Sequence, residues 1–341
     1  MSSGTDSATV VPETAAVKPT EPRRSSLNKG LIAGSKFGGP ALLVALVIVY
    51  SVTLPHTFLT VVNIRALLSQ QAVPGILAAA LLLPLVAGEF DFSGGSIIGL
   101  AAVALVQLTG QSGLNWPTAC LIILACAAGV GAINGVLISR FGYNSFVATL
   151  ASGGVLGGVA LVRSQGETLY QGIPAQFLQL GRGMVAGVPY AVIYLAVVFL
   201  VVAYALRQTA FGRYHEALGK GRAAAQLAGV SYRRHILIAF IASAVIAALA
   251  GLLLVANLGS APPNVGDSYI LSAFAAAFLG STMFRPGSFN ASGAIVAILL
   301  IAVGVNGMTL AGVSSFIQQI FTGALLLLAV GISRLERATR Q

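Results

Sequence analysis

The sequence predicts an all-α polytopic membrane protein with about ten transmembrane helices and both termini on the cytoplasmic side. Three observations carry this. The 341-residue chain is 57% hydrophobic and only 8% charged, with a mean hydropathy of +0.90, outside the range of soluble domains. Apolar runs of about 20 residues recur along it, each long enough to cross roughly 30 Å of hydrocarbon as a helix. The basic residues collect in alternate connecting segments, as topology determinants do.

Residues 1–36 are rich in Ser, Thr, Ala and Pro, carry five Lys or Arg, and show no apolar period, which predicts a disordered cytoplasmic tail. The first apolar run begins only near Phe37, too far along for the core of a cleaved signal peptide. Ten spans follow, at 38–54, 70–88, 93–110, 117–139, 144–163, 189–206, 236–257, 269–284, 289–307 and 311–332. They make up a membrane domain over 37–333, with 334–341 as a second cytoplasmic tail. With the N-terminus inside, the inner segments hold the five basic residues of the tail, Arg140, six in 207–235, Arg285 and three near the C-terminus. The outer segments hold Arg65, Arg163 and Arg182. This is the positive-inside bias, missing only at the turn 89–92. It also explains the net charge of +10 without nucleic acid, because the basic residues follow topology and form no single face.

The outer loops are short except 164–188, which has room for a small helix lying on the outer surface. Gly131 and Gly135, Gly153 and Gly157, and Gly154 and Gly158 are each four apart, a spacing that lets helix backbones approach closely. None of these glycines follows a strand, and no Lys-Ser or Lys-Thr pair completes a nucleotide motif. Cys120 and Cys126 share one span and point ~240° apart on a helix, a poor arrangement for a disulfide or a shared metal. No metal-ligand spacing occurs.

The longest polar interval between spans is Arg207 to His235, RQTAFGRYHEALGKGRAAAQLAGVSYRRH. Within it GKGRAAAQLAGV reads as one short helix, with Ala223 to Ala225 and Leu227 favouring helix and Gly229 at a left-handed C-terminal cap. Composition allows two readings: a basic loop that fixes topology, or a compact handle on which a soluble partner pushes.

Ionisable groups near the spans are scarce. The acidic cluster is Glu89 and Asp91, in LVAGEFDFSGGSIIGL between the second and third spans. Carboxylates near lipid are functional candidates by default, and a Gly-broken polar turn resembles the discontinuous helices of ion-coupled transporters. The structural alternative is a turn in which Asp91, followed by Ser93, Gly94 and Gly95, caps the third span. The depth of the turn is open, at the inner surface or deeper as a re-entrant break. Further polar residues within spans are Asn134, Ser145, Thr149, Ser152, Asn306, Thr309, Gln318 and Gln319. Each can line a path for a neutral hydroxylated solute or bond a neighbouring helix. No His, Cys or paired-acid constellation sits inside the spans, which argues against an intramembrane enzyme.

Four stretches together resemble the permease subunits of ATP-binding-cassette importers, in the branch that handles ribose, xylose and other monosaccharides, with branched-chain amino acid permeases as more distant relatives. GEFDFSGGSIIGLAAVAL is similar to that family's Gly-Gly-Ile-Asp-Leu-Ser-x-Gly-Ser signature through Asp91, Ser93, Gly95 and Ser96. NSFVATLASGGVLGGVAL matches a Phe-(Ile/Val)-Ala-Thr-Leu segment through Phe146, Ala148, Thr149 and Leu150. The 207–235 interval matches the cytoplasmic loop through Gly212, Arg213, Ala217, Gly219, Ala224 and Gly229. NGMTLAGVSSFIQQIFTGALLLLAV matches the closing segment through Asn306, Gly307, Leu310, Gly312, Val313 and Gln318. The likeness covers roughly residues 36–335.

The resemblance implies a type II ABC importer-like permease in the bacterial inner membrane, working by alternating access. Its partners would be cytoplasmic ATPase subunits, a periplasmic or lipid-anchored solute-binding protein, and a second permease subunit, identical or related. ATP and magnesium would sit on the partner ATPase; this chain would hold no cofactor and do no bond chemistry. It implies that Gly212, Arg213, Glu216, Gly219, Arg222, Ala224 and Gly229 belong to a loop that docks on the ATPase. It also leaves Glu89, Asp91, Ser93, Asn134, Thr149, Asn306 and Gln318 as candidates for the solute path or gate. An ion-coupled secondary transporter using Glu89 and Asp91 is the rival reading. The chain departs from the signature at Glu89, Phe90 and Phe92, where the family has glycine, isoleucine and leucine, and at Ile270 and Ser272, where it usually has acids. Those departures raise the possibility of a solute other than a common pentose.

Overall fold

In the computed structural model, residues 26–338 are described, with side chains described for 37–331. The expected tail over 1–25 lies outside the described residues. The chain forms fourteen helices and one two-residue hairpin among the described residues. They are α1 (Ser26–Thr53), α2 (Val61–Gln70), α3 (Ala72–Val86), α4 (Ser93–Gly110), α5 (Trp116–Ser139), α6 (Ser145–Ser164) and α7 (Ala175–Arg182). After the hairpin β1 (Met184–Val185) and β2 (Val188–Pro189) come α8 (Tyr190–Gln208), α9 (Ala210–Lys220), α10 (Arg222–Leu227) and α11 (Tyr232–Leu258). α12 (Val265–Ser281), α13 (Ala291–Leu310) and α14 (Ser315–Ala338) complete the chain.

Seven segments are long and apolar enough to cross a membrane, with α2 and α3 forming one of them, Val61–Val86. Three shorter apolar helices, Phe37–Thr53, Val265–Ser281 and Ser315–Gly331, coincide with the remaining predicted spans. α1 begins at Ser26, so its helix starts within the segment read as a tail, and α14 continues to Ala338.

α3 is the centre of the bundle. Its sequence AVPGILAAALLLPLV contains no polar side chain, and every residue from Ala72 to Leu85 is buried. A helix that is apolar all round has no face for water, so it is surrounded by others. α4, α8, α11 and α12 pack around it. By contrast α6, α8 and α14 leave broad apolar faces exposed, as lipid-facing or partner-facing helices do.

Contacts sort the connections onto two faces. On the first, the 87–92 segment meets α9 and α11, and the 140–144 turn lies beside it. On the second, Leu169 pairs with Ala261, and Gly110 abuts Gln171 and Gly172. The small helix expected in 164–188 is α7 on this second face. It docks by burying Phe177 and setting Gly181 against the backbone of Ala256 and Asn257. Arg182 then donates to the last carbonyls of α11, Nε to Asn257 at 3.2 Å and an Nη to Leu258 at 3.1 Å. A cation there satisfies orphan acceptors and complements the helix dipole.

Candidate functional site

The polar residues of the bundle converge on the break between α3 and α4. Pro84 cannot donate within α3, and its own carbonyl accepts from both Ala87 and Glu89, which ends the helix. Gly88 then turns the chain at φ +87°, and residues 89–92 run beside α6 outside any helix, with Phe92 already turned to helical φ and ψ. Non-helical backbone inside a membrane must find hydrogen-bond partners. α6 supplies them: Ser145 Oγ accepts from the Phe90 N–H at 3.1 Å, and Thr149 Oγ1 accepts from the Phe92 N–H at 2.9 Å. Thr149 is fully buried and passes its own proton on to a nearby carbonyl, Ser145 at 2.7 Å.

Asp91 is 1% exposed and closes the break. Oδ1 accepts from the Ser93 N–H at 3.0 Å and from Ser93 Oγ at 2.6 Å, and Oδ2 accepts from Ser243 Oγ of α11 at 2.8 Å. Asn134 of α5 donates to Ser93 Oγ at 3.1 Å. Asp91 is therefore not the N-cap expected of it: Phe92 holds that position with no side-chain bond, and Asp91, one residue earlier, accepts the first N–H of α4. The same carboxylate also ties α4 to α11, and through Ser93 to α5. The turn's depth now has an answer. Gly88 and Glu89 lie at the first face, whereas Asp91 meets Ser243, about 16 Å along α11 from Tyr232.

α4 begins beside the middle of α11, where Gly94 faces Ala247, and α12 begins against the same point from the opposite side. After α11 ends at Gly259 (φ +71°), residues 260–264 descend along α4. Pro263 then meets Gly99, and Gly266 meets Gly95 backbone to backbone. A Cβ on Gly95 would lie 2.7 Å from the Gly266 oxygen, so neither position admits a side chain without displacement. The eighth predicted span, 269–284, is thus largely α12, which starts four residues earlier than expected and follows the irregular segment 260–264. Two helix N-termini meet inside the bundle, an arrangement that in transporters frames solute sites.

Phe90 and Phe92, departures from the family signature, pack into an aromatic cluster. Phe92 stacks on Phe274 at 4.5 Å and meets Phe146 edge-on at 4.8 Å, while Phe90 stacks on Phe278 at 6.3 Å. Their bulk is matched by phenylalanines of α12 and α6, which accounts for them by packing. Glu89 accepts from the Tyr232 hydroxyl at 2.6 Å.

The first face carries α9 and α10. The sequence suggests one helix over 219–230; the structure has two, split at Gly221. α9 is held by burial of His215 and Leu218, and by the bare backbones of Gly212 against Leu206 and Gly219 against Val86. Neither glycine advertises a helix, which is why α9 was not legible. Burial pushes the His215 imidazole down to about 4, partly offset by its hydrogen bond to the Phe211 carbonyl. Glu216 pairs with Lys220 at 2.8 Å on the exposed side, and Arg213 is exposed. In α10 only Ala225 is buried; Ala224 is exposed and Leu227 is 91% exposed. Gly229 ends this turn at φ +86°, as expected. The guanidinium of Arg222 lies 3.6 Å from the centroid of the Tyr232 ring.

A model of the family described as "Branched-chain amino acid transport system / permease component" matches residues 63–330. The chain belongs to this permease family. It is similar to the ribose import permease protein of Escherichia coli K12, 34% identical over 85% of this chain and 90% of the relative. The ribose import permease protein of Bacillus subtilis 168 is 36% identical over 88% and 93%. The D-allose transport system permease protein of Escherichia coli K12 is 30% identical over 88% and 92%. No solved structure matches the chain. Family membership and the apolar helices make it a multi-pass protein of the bacterial inner membrane, and a transport subunit rather than an enzyme.

The other candidates of this permease lie elsewhere. Asn306 of α13 forms a reciprocal amide pair with Asn63 of α2, at 3.0 Å in each direction. Gln318 lines a cavity of about 1120 Å³ on the second face, together with Arg65, Gln71, Asp267, Ser272 and Gln319. Sequence reading missed Ser243, Tyr232 and Asn63 as partners. Ser243 carries a usable signal, being the one hydroxyl residue in the predicted span 236–257.

Proposed function

We propose that this permease is the membrane subunit of an ATP-driven importer that moves a monosaccharide into the cytoplasm by alternating access. In this reading the first face is cytoplasmic and both termini lie on that side. α9 and α10 dock on an ATPase partner, which carries the ATP and magnesium. The cavity of about 1120 Å³ on the second face is the outer mouth of the solute path, facing a periplasmic or lipid-anchored solute-binding protein. A second permease subunit, identical or related, completes the path.

The observation that carries the reading is α10: a short helix on the face rich in basic residues, with Leu227 91% exposed, packed on α9 and with Arg222 bordering the same cavity as Gly88 and Glu89 of the α3–α4 break. An apolar side chain so exposed to water is a natural anchor for a partner's groove. The lining of the outer cavity, with amides, hydroxyls and few net charges, suits a neutral polyhydroxylated solute. The relatives' names as ribose and D-allose transport permeases support a monosaccharide. Against an ion-coupled transporter, both Asp91 oxygens are already taken by hydroxyls and an N–H.

The test is gentle purification of the tagged chain from its native membrane, with mass identification of what accompanies it. An ATPase should accompany the native chain and be lost from Leu227→Asp, while the thermal midpoint stays the same. A native chain that emerges folded, with no ATPase and with uptake driven by an ion gradient, would refute the proposal.

A further inference from the structure

We infer that Arg222, Tyr232 and Glu89 form a mechanical link that carries movement of α10 to the α3–α4 break. The inference rests on the reading of α9 and α10 as the ATPase dock. It goes beyond that reading in naming the side chains of this permease that receive the movement.

The contacts form one continuous line. Arg222 is the first residue of α10, and its guanidinium lies on the Tyr232 ring at 3.6 Å. Tyr232 is the first residue of α11, 3% exposed, and so held by packing. Its hydroxyl donates to Glu89 Oε1 at 2.6 Å. Two residues on is Asp91, bound to α4 through Ser93 and to α11 through Ser243. A planar ring clamped between a guanidinium and a carboxylate has few soft torsions, so it passes on displacement instead of absorbing it.

Two further features suit a moving part. Gly219 of α9 rests against the Val86 carbonyl at the end of α3, so α9 bears on one side of the break while α10 acts on the other. Between the break, the α5–α6 turn and the Arg222–Tyr232 pair lies a cavity of about 630 Å³, bordered by Phe92, Gly142, Ser145 and Phe146. Tightly packed interiors resist displacement, and this space leaves room for one. Glu89 also stands where the resembling signature has glycine, which has no side chain to accept from Tyr232.

The experiment uses the complete transporter in proteoliposomes, measuring ATP hydrolysis and solute uptake in the same vesicles. Tyr232→Phe removes one oxygen, Glu89→Ala removes the acceptor, and Glu89→Gln keeps an acceptor oxygen. Tyr232→Phe and Glu89→Ala should each raise ATP hydrolysed per solute moved by about tenfold or more, the scale of one lost hydrogen bond to a charged group, with assembly retained. Glu89→Gln should stay near the native ratio. A merely structural role would lower both activities together and leave the ratio alone. An unchanged ratio in both Tyr232→Phe and Glu89→Ala overturns the link while sparing the docking reading. If Glu89→Ala fails to assemble, Tyr232→Phe decides alone. A native chain that binds no ATPase sinks the docking reading and the link with it.

Discussion

Replacing Asp91 separates a structural latch from an ion site. The carboxylate accepts three hydrogen bonds, two at Oδ1 from Ser93 and one at Oδ2 from Ser243. In Asp91→Asn the carbonyl oxygen keeps both Ser93 bonds. The new amide faces Ser243 Oγ, which accepts once its own proton turns to a carbonyl of α11. That exchange should cost under about 1 kcal/mol. Asp91→Ala strands the Ser93 N–H at the start of α4 and frees two buried hydroxyls. At about 1–3 kcal/mol for each donor that finds no new partner, the loss is about 3 kcal/mol. For a large domain this lowers the thermal midpoint by roughly 6 °C, at about 2 °C per kcal/mol. The assay is thermal unfolding in detergent beside uptake in proteoliposomes. Asp91→Asn should remain stable and active, and Asp91→Ala should melt roughly 6 °C lower with reduced uptake. If Asp91→Asn stays folded but abolishes uptake, the negative charge itself is needed, and the latch argument is wrong.

Gly266→Ala should destabilise by about 1–3 kcal/mol, because its methyl would overlap the Gly95 carbonyl; Gly158→Ala, where nothing lies within 4 Å, should be neutral by the same thermal measurement. A pH dependence follows from His215. Its folded value of about 4 lies below the ordinary 6.5, so on acidification the unfolded loop binds a proton before the folded loop does. Stability is full above about pH 7 and falls as pH drops from 6.5 toward 4, by about 3 kcal/mol at the lower limit. His215→Phe should flatten the thermal midpoint over that window, and an unchanged slope would mean that another group is responsible.

Much of this molecule is legible in its sequence because the bilayer is a demanding solvent. The apolar runs, the basic bias and the polar break at 89–92 are local signals, since lipid penalises each unpaired charge or backbone group wherever it falls. Hence the seven long apolar segments, the three shorter apolar helices, the small helix α7 and the left-handed Gly229 cap were all readable. Asp91, Ser93, Asn134 and Thr149 could be singled out one by one for the same reason.

Only the tertiary structure decided which partners they meet. That Asp91 pairs with Ser243, 152 residues away, and Glu89 with Tyr232, 143 away, depends on which helices adjoin. No periodicity encodes this, because α3, α4, α11 and α12 carry no one-sided apolar stripe that would single out a neighbour. The sequence determined which stretches are apolar enough for a membrane and where the polar residues fall along the chain. Packing around glycine contacts determined which polar atoms meet, because close backbone approach is a property of two helices at once.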